Sequence, residues 1–168
     1  MQTYQKSLSN LPLDTNTAVL KSFLKQYRND FIHKTHLFEG RYENIYLNEQ
    51  HIPELAPLIK EATKLAENLL CVENLRAGYW FNYMPPGSST TLHTHDDYDE
   101  LLSAVYYIYA PENSGNLILY DSSEKIEIIP EAGEFIFFSP SQKHEVSRNN
   151  STEHRLSIGI NFGRDNDA

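Results

Sequence analysis

From Arg76 to Phe162 the chain breaks into short runs rich in Tyr, Phe, Ile and Val, each closed by turn residues before the next begins. That spacing is the pattern of an all-β sandwich or barrel. Strands are expected at Ala77 to Met84, Thr90 to His95, Leu101 to Tyr109, Asn116 to Asp121, Lys125 to Ile129, Glu134 to Ser139, His144 to Arg148 and Arg155 to Phe162. Between them lie Pro85-Pro86-Gly87, Pro111 to Gly115, Asp121-Ser122-Ser123, Pro130 to Gly133, Pro140-Ser141 and Asn149-Asn150-Ser151, all of which suit turns. The last strand constrains most. Leu156, Ile158, Ile160 and Phe162 share one face, and Arg155, Ser157, Gly159 and Asn161 share the other. A sandwich strand ordinarily leaves its polar face in water; here helices are expected to cover the apolar face, so that the polar face lines the barrel mouth. Leu101 to Tyr109 alternates similarly, with Ser103, Val105 and Tyr107 opposite Leu102, Ala104, Tyr106 and Ile108.

The helices come first in the chain. Leu55, Leu58, Ile59, Ala62, Leu65, Ala66 and Leu69 recur at three and four within His51 to Leu70, giving an amphipathic helix opened by Pro53. A second helix is expected from Thr17 to about Arg28, with Val19, Leu20, Phe23 and Leu24 on one side and Asp14 or Asn16 as its cap. Phe31 to Asn48 is ambiguous, with a short strand around Tyr42 to Tyr46. No repeat, low-complexity tract or linker divides the 168 residues, which are expected to form one domain. Residues 1–75 then form a helical support region and 76–163 a jelly-roll-like barrel, a mainly β (α+β) fold with the N-terminal helices packed on one sheet.

Charge narrows the partners. The net charge is −9, and no stripe of Lys or Arg is available to neutralise phosphates, which argues against nucleic acid. No apolar stretch approaches the roughly 20 residues of a membrane span, and Met1 to Asn16 contains no apolar run typical of a signal peptide. The sequons at Asn149 and Asn150 carry little weight without a secretory route. Cys71, the single cysteine, sits among Leu69, Leu70 and Val72 and is expected to be a buried thiol. A reducing cytoplasm is the expected location.

Chemistry concentrates in His93-Thr94-His95-Asp96-Asp97, followed about fifty residues later by His144 and then by Arg155-Leu156-Ser157. Residues one apart on a strand point the same way, with Cα atoms ~7 Å apart, so His95 and Asp97 can close on one ion. His144 is placed to complete the face. Two imidazoles and a carboxylate form the ligand set of non-haem Fe(II) oxygenases, which leaves adjacent open positions.

Around these residues the chain resembles a known family. His95-Asp96-Asp97, Leu102-Ser103-Ala104-Val105-Tyr106-Tyr107, Ser114-Gly115-Asn116-Leu117, Pro130-Glu131-Ala132-Gly133-Glu134, Phe138-Ser139-Pro140 with His144, and Arg155-Leu156-Ser157-Ile158 are similar to the Fe(II)/2-oxoglutarate-dependent dioxygenases, particularly their prolyl-hydroxylase-like branch. Ala104 stands where a glycine is common in that branch. The resemblance covers about Trp80 to Phe162 and implies a double-stranded β-helix with Fe(II) on His95, Asp97 and His144. It further implies that 2-oxoglutarate chelates the metal, that Arg155 clamps its distal carboxylate, and that Ser157, Tyr107 and either Asn82 or Tyr83 line its pocket. The implied reaction consumes O2, releases succinate and CO2, and hydroxylates an unactivated C–H bond of a small molecule or a peptidyl residue. Oligomeric state and the primary substrate are not legible.

Other readings use the same residues. Gly87, His93-Thr94-His95 and Glu100, with Gly133, Pro140 and His144, fit the two cupin motifs, giving ligands His93, His95, Glu100 and His144 and no 2-oxoglutarate. Tyr107 stands where the first motif closes on Gly, and Arg155 and Ser157 have no role in it. A non-catalytic jelly-roll binding protein would use Tyr79, Trp80, Phe81 and Tyr83 as a stacking platform, although alternation divides them between two faces. The blandest reading solvates the histidines and acidic residues and pairs Arg155 with Glu153 or Glu145 on the surface.

Overall fold

The structure, a computed structural model, describes residues 3–95, 99–122 and 124–165. Its elements are β1 (Tyr4–Leu8), α1 (Asp14–Gln26), β2 (His33–Phe38), β3 (Arg41–Tyr46), α2 (Leu55–Leu70), β4 (Leu75–Met84), β5 (Thr90–His93), β6 (Glu100–Tyr109), β7 (Leu117–Asp121), β8 (Glu124–Ile128), β9 (Glu134–Phe138), β10 (Lys143–Val146) and β11 (Arg155–Arg164). The strands form two antiparallel sheets, a large one ordered β1-β9-β6-β11-β4-β3-β2 and a small one ordered β5-β10-β7-β8. From β4 to β11 the chain winds between the sheets as a jelly roll, and all eight strands expected there are present. The resulting fold is a double-stranded β-helix.

Alternation explains the layers. Leu156, Ile158, Ile160 and Phe162 of β11 are essentially inaccessible to solvent. With Phe81, Leu102, Tyr106, Phe135 and Phe137 they meet Val19 and Phe23 of α1 and Leu55, Leu58, Ile59, Ala62 and Ala66 of α2. The helices therefore cover the outer face of the large sheet, as the sequence pattern requires. A second, smaller cluster of Met84, Tyr107, Leu117, Leu119, Ile128, Ile136, Phe138 and Val146 fills the space between the sheets. β9 serves both, sending Phe135 and Phe137 outward and Ile136 and Phe138 inward.

The first 75 residues contain more than helices. β1 runs antiparallel to β9 at one edge of the large sheet, and the β2–β3 hairpin extends the other edge from β4. Two local expectations are corrected. Neither Asp14 nor Asn16 caps α1: Leu13 occupies the cap position without a side-chain bond, Asp14 lies in the first turn, and Asn16 accepts the Tyr106 hydroxyl at 2.7 Å. There the Asp14 carboxylate complements the helix dipole. Cys71 is exposed, because α2 ends at that residue in a left-handed conformation, φ 55°, which turns it off the apolar stripe.

Candidate metal and anion site

The polar face of β11 is one wall of a cavity of about 330 Å³ between the sheets. Cross-strand register builds that wall in rows. Ser157 pairs with Asn82 of β4 and Tyr107 of β6, and Gly159 pairs with Trp80 and Val105. Gly159 lets the Trp80 indole lie over it, since a Cβ there would meet the ring at 2.4 Å. The opposite wall comes from β5, β10 and β7, with the β2–β3 hairpin adding His36, Glu43, Asn44 and Tyr46 at the mouth.

Three imidazoles gather at one end. His93, the last residue of β5, is the direct cross-strand partner of His144 on β10. His95 lies just beyond β5, anchored by its backbone N–H to the Pro140 carbonyl at 2.7 Å. One ligand atom from each ring lies within 4.8 Å of those of the other two. Two rings are held in a defined orientation: His93 Nδ1–H donates to the Thr91 carbonyl at 2.6 Å and His144 Nδ1–H to the Gln142 carbonyl at 2.9 Å. Both then present an unprotonated Nε2, the arrangement that second-shell carbonyls impose on metal-binding histidines.

Electrostatics keep His95 and His144 neutral. Burial, reinforced by the neighbouring rings His144, His93 and His36, lowers the His95 pKa to about 3. Burial and His93 lower that of His144 to about 4. Nε2 of His95 and Nε2 of His144 are 3.1 Å apart. Neutral His95 can donate its Nε2–H to the lone pair on His144 Nε2 across that gap; with the proton on Nδ1 instead, both lone pairs are open to a cation. Two cis ligands at roughly 2.1 Å from one ion stand roughly 3 Å apart. The donor set therefore fits a divalent transition metal.

The other end of the cavity holds the Arg155 guanidinium. Arg155 is 1% exposed, and among the described residues no carboxylate pairs with it. One Nη donates to the Gly115 carbonyl at 2.8 Å, and the guanidinium lies over the Tyr107 ring, 5.4 Å from its centroid. Among the described residues, buried Arg155 Nε and the Tyr107 hydroxyl have no well-formed hydrogen-bond partner and lie beside one another. Burial raises the Tyr107 phenol to about 12, with Arg155 pulling the other way, so the hydroxyl is neutral and able to donate. A buried charge left unpaired costs several kcal/mol. An anionic ligand removes that cost.

Of the residues singled out from sequence, His95, His144, Arg155, Ser157, Tyr107 and Asn82 all line this cavity, and so does His93. Asp97 lies outside the described residues. Asn82 is already engaged, donating to Thr90 Oγ1 at 2.9 Å and accepting from Arg41 at 2.9 Å. Tyr83 packs instead against Phe23, Tyr27 and His154. Glu100, needed by the cupin-like set, is drawn toward Arg76 at 3.4 Å and does not line the cavity. Glu153 and Glu145 accept from Tyr109 and Tyr120, not from Arg155. The stacking platform is divided: Phe81 is in the helix-side core, while Trp80 faces the cavity beside His95, 5.3 Å between ring centroids.

Sequence reasoning missed the hairpin's part. Arg41 donates to the Ser89 carbonyl at 2.8 Å and to Thr90 Oγ1 at 3.0 Å. Glu43 accepts both the backbone N–H and the hydroxyl of Thr91, at 2.8 and 2.7 Å. The hairpin is thereby tied across the mouth to the strand that carries His93. Its one sequence signal is Glu43 set between Tyr42 and Ile45, a carboxylate in a half-buried strand.

A jelly roll with clustered imidazoles at one end of its cavity and a buried arginine at the other, without a carboxylate partner among the described residues, describes a metal-dependent enzyme with an anionic cosubstrate. Residues 79–163, half of the chain, match the 2OG-Fe(II) oxygenase superfamily, and the chain belongs to that family. Fe(II), 2-oxoglutarate and O2 are the family's cofactor and cosubstrates, and the imidazole cluster is able to hold such a metal. No curated protein sequence matches the chain. Among solved structures, a Pseudomonas putida prolyl-4-hydroxylase is 21% identical with a TM-score of 0.70, covering 96% of this chain and 93% of that one. A Trichoplax adhaerens prolyl hydroxylase, in complex with a hypoxia inducible factor peptide fragment, is 17% identical with a TM-score of 0.70, covering 97% and 84%. SnoK, an alpha-ketoglutarate-dependent carbocyclase of nogalamycin biosynthesis, is 17% identical with a TM-score of 0.74, covering 97% and 80%. These likenesses establish a shared fold.

Proposed function

We propose that the protein is a hydroxylase that uses Fe(II) and 2-oxoglutarate to oxidise an unactivated C–H bond of a small molecule or a peptidyl residue. The observation that carries this reading is the buried Arg155, without a carboxylate partner among the described residues, in the same cavity as His95 and His144. When bound, Fe(II) with 2-oxoglutarate and O2 supplies an oxidant that converts C–H to C–OH, while the keto acid leaves as succinate and CO2.

The chain's own residues have separable tasks. The guanidinium of Arg155 takes the distal carboxylate of 2-oxoglutarate, a charge-assisted contact in a water-poor site. Tyr107 donates its otherwise unpartnered hydroxyl to the same group, and Ser157, two residues along the face from Arg155, adds another. Asn82 shapes the pocket by holding β4 to Thr90. The metal is held by imidazoles, with Nδ1–H bonds to backbone carbonyls fixing the rings. His95, Asp97 and His144 are the ligand set drawn from the sequence, and His93 competes with Asp97 for the third place.

The cavity is at the small end of the range for ligand sites. Metal and cosubstrate would take up much of it, leaving the substrate to enter past the hairpin residues Tyr46 and Asn44. The prolyl hydroxylase neighbour with a bound peptide supports a peptidyl substrate, and SnoK, described as a carbocyclase, supports a small molecule. The acidic chain disfavours nucleic acid, and the single thiol fits a reducing cytoplasm. We place residues 1–168 in one domain, with 76–163 as the catalytic core. The test is anaerobic titration with Fe(II) and 2-oxoglutarate, followed by O2. A visible charge-transfer band that needs both components, and succinate formed in step with keto acid consumed, is the expected result. Metal binding indifferent to 2-oxoglutarate would refute the proposal.

A further inference from the structure

The two-His-one-carboxylate reading of the motif starts from His95 and takes the carboxylate two residues later. The β5–β10 register brings a second histidine to the same place. His93 is the residue directly opposite His144 in the β5–β10 ladder, and His95 is the residue two positions further on. A spacing of one intervening residue returns a side chain to the same face of an extended segment. His93 and His95 thus stand to His144 as the first histidine and the carboxylate of an HxD motif would stand to the distal histidine.

We propose that the protein ligands of the metal are three imidazoles, those of His93, His95 and His144, with His95 in the place of the carboxylate. The inference rests on the metal-centre reading above but not on the identity of the cosubstrate. Four observations carry it. The ligand atoms of the three rings lie within 4.8 Å of one another. His93 is tied by Nδ1–H to the Thr91 carbonyl, so its Nε2 lone pair is free, as in His144. The His93 ring centroid is 4.2 Å from that of His144 and 4.7 Å from that of His95, so no other side chain separates them. Finally, Nε2 of His95 and of His144 are already at the separation of adjacent ligands on one ion.

Three imidazoles would hold the metal with the same number of protein ligands as a two-His-one-carboxylate set, leaving the rest of its coordination to the cosubstrates. The difference lies in charge: three neutral imidazoles would leave the ion its full double charge, whereas a carboxylate would neutralise half of it.

The experiment compares wild type, His93→Asn, His93→Asp and Asp97→Asn, each prepared metal-free. Fe(II) and Co(II) affinities are measured anaerobically by equilibrium dialysis, and coordinated imidazoles are counted by pulsed EPR of the Cu(II) form. Circular dichroism and melting of the metal-free variants establish that each is folded. Wild type is expected to bind one equivalent with three imidazoles coordinated. Asp97→Asn should keep wild-type affinity within a few-fold, and His93→Asn should lose 100-fold or more and fall to two imidazoles. His93→Asp, which restores a third ligand as a carboxylate, should recover metal binding with two imidazoles. Wild-type affinity in His93→Asn together with loss in Asp97→Asn would overturn the inference and leave the metal-centre reading standing. Failure of wild type to bind either metal would overturn both.

Discussion

Replacing Arg155 by Met separates the cost of holding a buried charge from the benefit it brings to a ligand. The guanidinium is 1% exposed, makes one hydrogen bond, to Gly115, and leaves Nε without a partner. Methionine has similar length and no charge, so Arg155→Met removes a desolvation penalty of several kcal/mol. Against this stands the Gly115 carbonyl, unsatisfied after the change at about 1–3 kcal/mol. The ligand-free variant is therefore expected to be as stable as wild type, or more stable by up to about 2 kcal/mol. Binding moves the other way. Truncating one partner of a buried charge pair costs about 2–5 kcal/mol, which weakens 2-oxoglutarate roughly 30-fold to a few thousand-fold. The assay is thermal melting of Mn(II)-loaded protein in anaerobic buffer, with calorimetric titration of 2-oxoglutarate. Wild type at a hundred times its Kd gains about 2.7 kcal/mol, an upward shift of roughly 5–10 °C for a chain of this size. Arg155→Met should gain at most about 0.9 kcal/mol at that concentration, a shift of no more than roughly 3 °C, while melting no lower than wild type when ligand-free. Unaltered 2-oxoglutarate affinity, or a large loss of ligand-free stability, would make the guanidinium a structural strut and refute the reasoning.

Tyr107→Phe removes a buried hydroxyl whose polar neighbour is the Arg155 guanidinium, so the ligand-free protein should lose no more than about 1 kcal/mol in thermal melting while 2-oxoglutarate weakens by about tenfold, as for one lost hydrogen bond to a charged group. Gly115→Ala should cost about 2 kcal/mol or more in chemical denaturation, because φ is +106° and the new Cβ would stand 2.4 Å from the Ser147 carbonyl oxygen. Metal-free protein should lose stability on acidification. His95 and His144 have folded-state pKa values of about 3 and 4, below the 6.5 of an unfolded chain, so the unfolded state takes up protons first as pH falls through that window. Each ring removes up to about 2 kcal/mol between pH 6.5 and pH 5, and a flat urea midpoint over that range would contradict the buried imidazole cluster. Trp80 is the single tryptophan and lies beside His95, so Co(II) or Ni(II) should quench its emission in proportion to occupancy; unchanged emission at saturating metal would place the ion elsewhere.

The barrel was legible because period-two alternation carries information at every residue. β11 shows this best: its apolar residues face the helices and Arg155, Ser157 and Gly159 face the cavity, as the pattern requires. The amphipathic α2 was legible for the same kind of reason at the helical period. β1 and β2 were not. YQKSL and HKTHLF are edge strands with few fully buried positions, so no apolar period marks them. The roles of Arg41 and Glu43 were hidden for another reason: their partners near Thr90 and Thr91 are 48 or 49 residues away, and no local pattern records such a bond. Cys71 was misjudged from its apolar neighbours, since one left-handed residue at a helix end reverses which way a side chain points. The histidine spacing was visible, but which histidine faces His144 depends on strand register, which spacing does not specify.

The large sheet is shared by two apolar clusters, one under the helices and one inside the barrel, and the chemistry touches only the second. Thermal tolerance and selectivity are thus governed from opposite sides of one wall. An engineer can harden the protein by repacking Val19, Phe23, Leu58 or Ala62 without retuning what it accepts, and can reshape the chamber without dismantling its foundation.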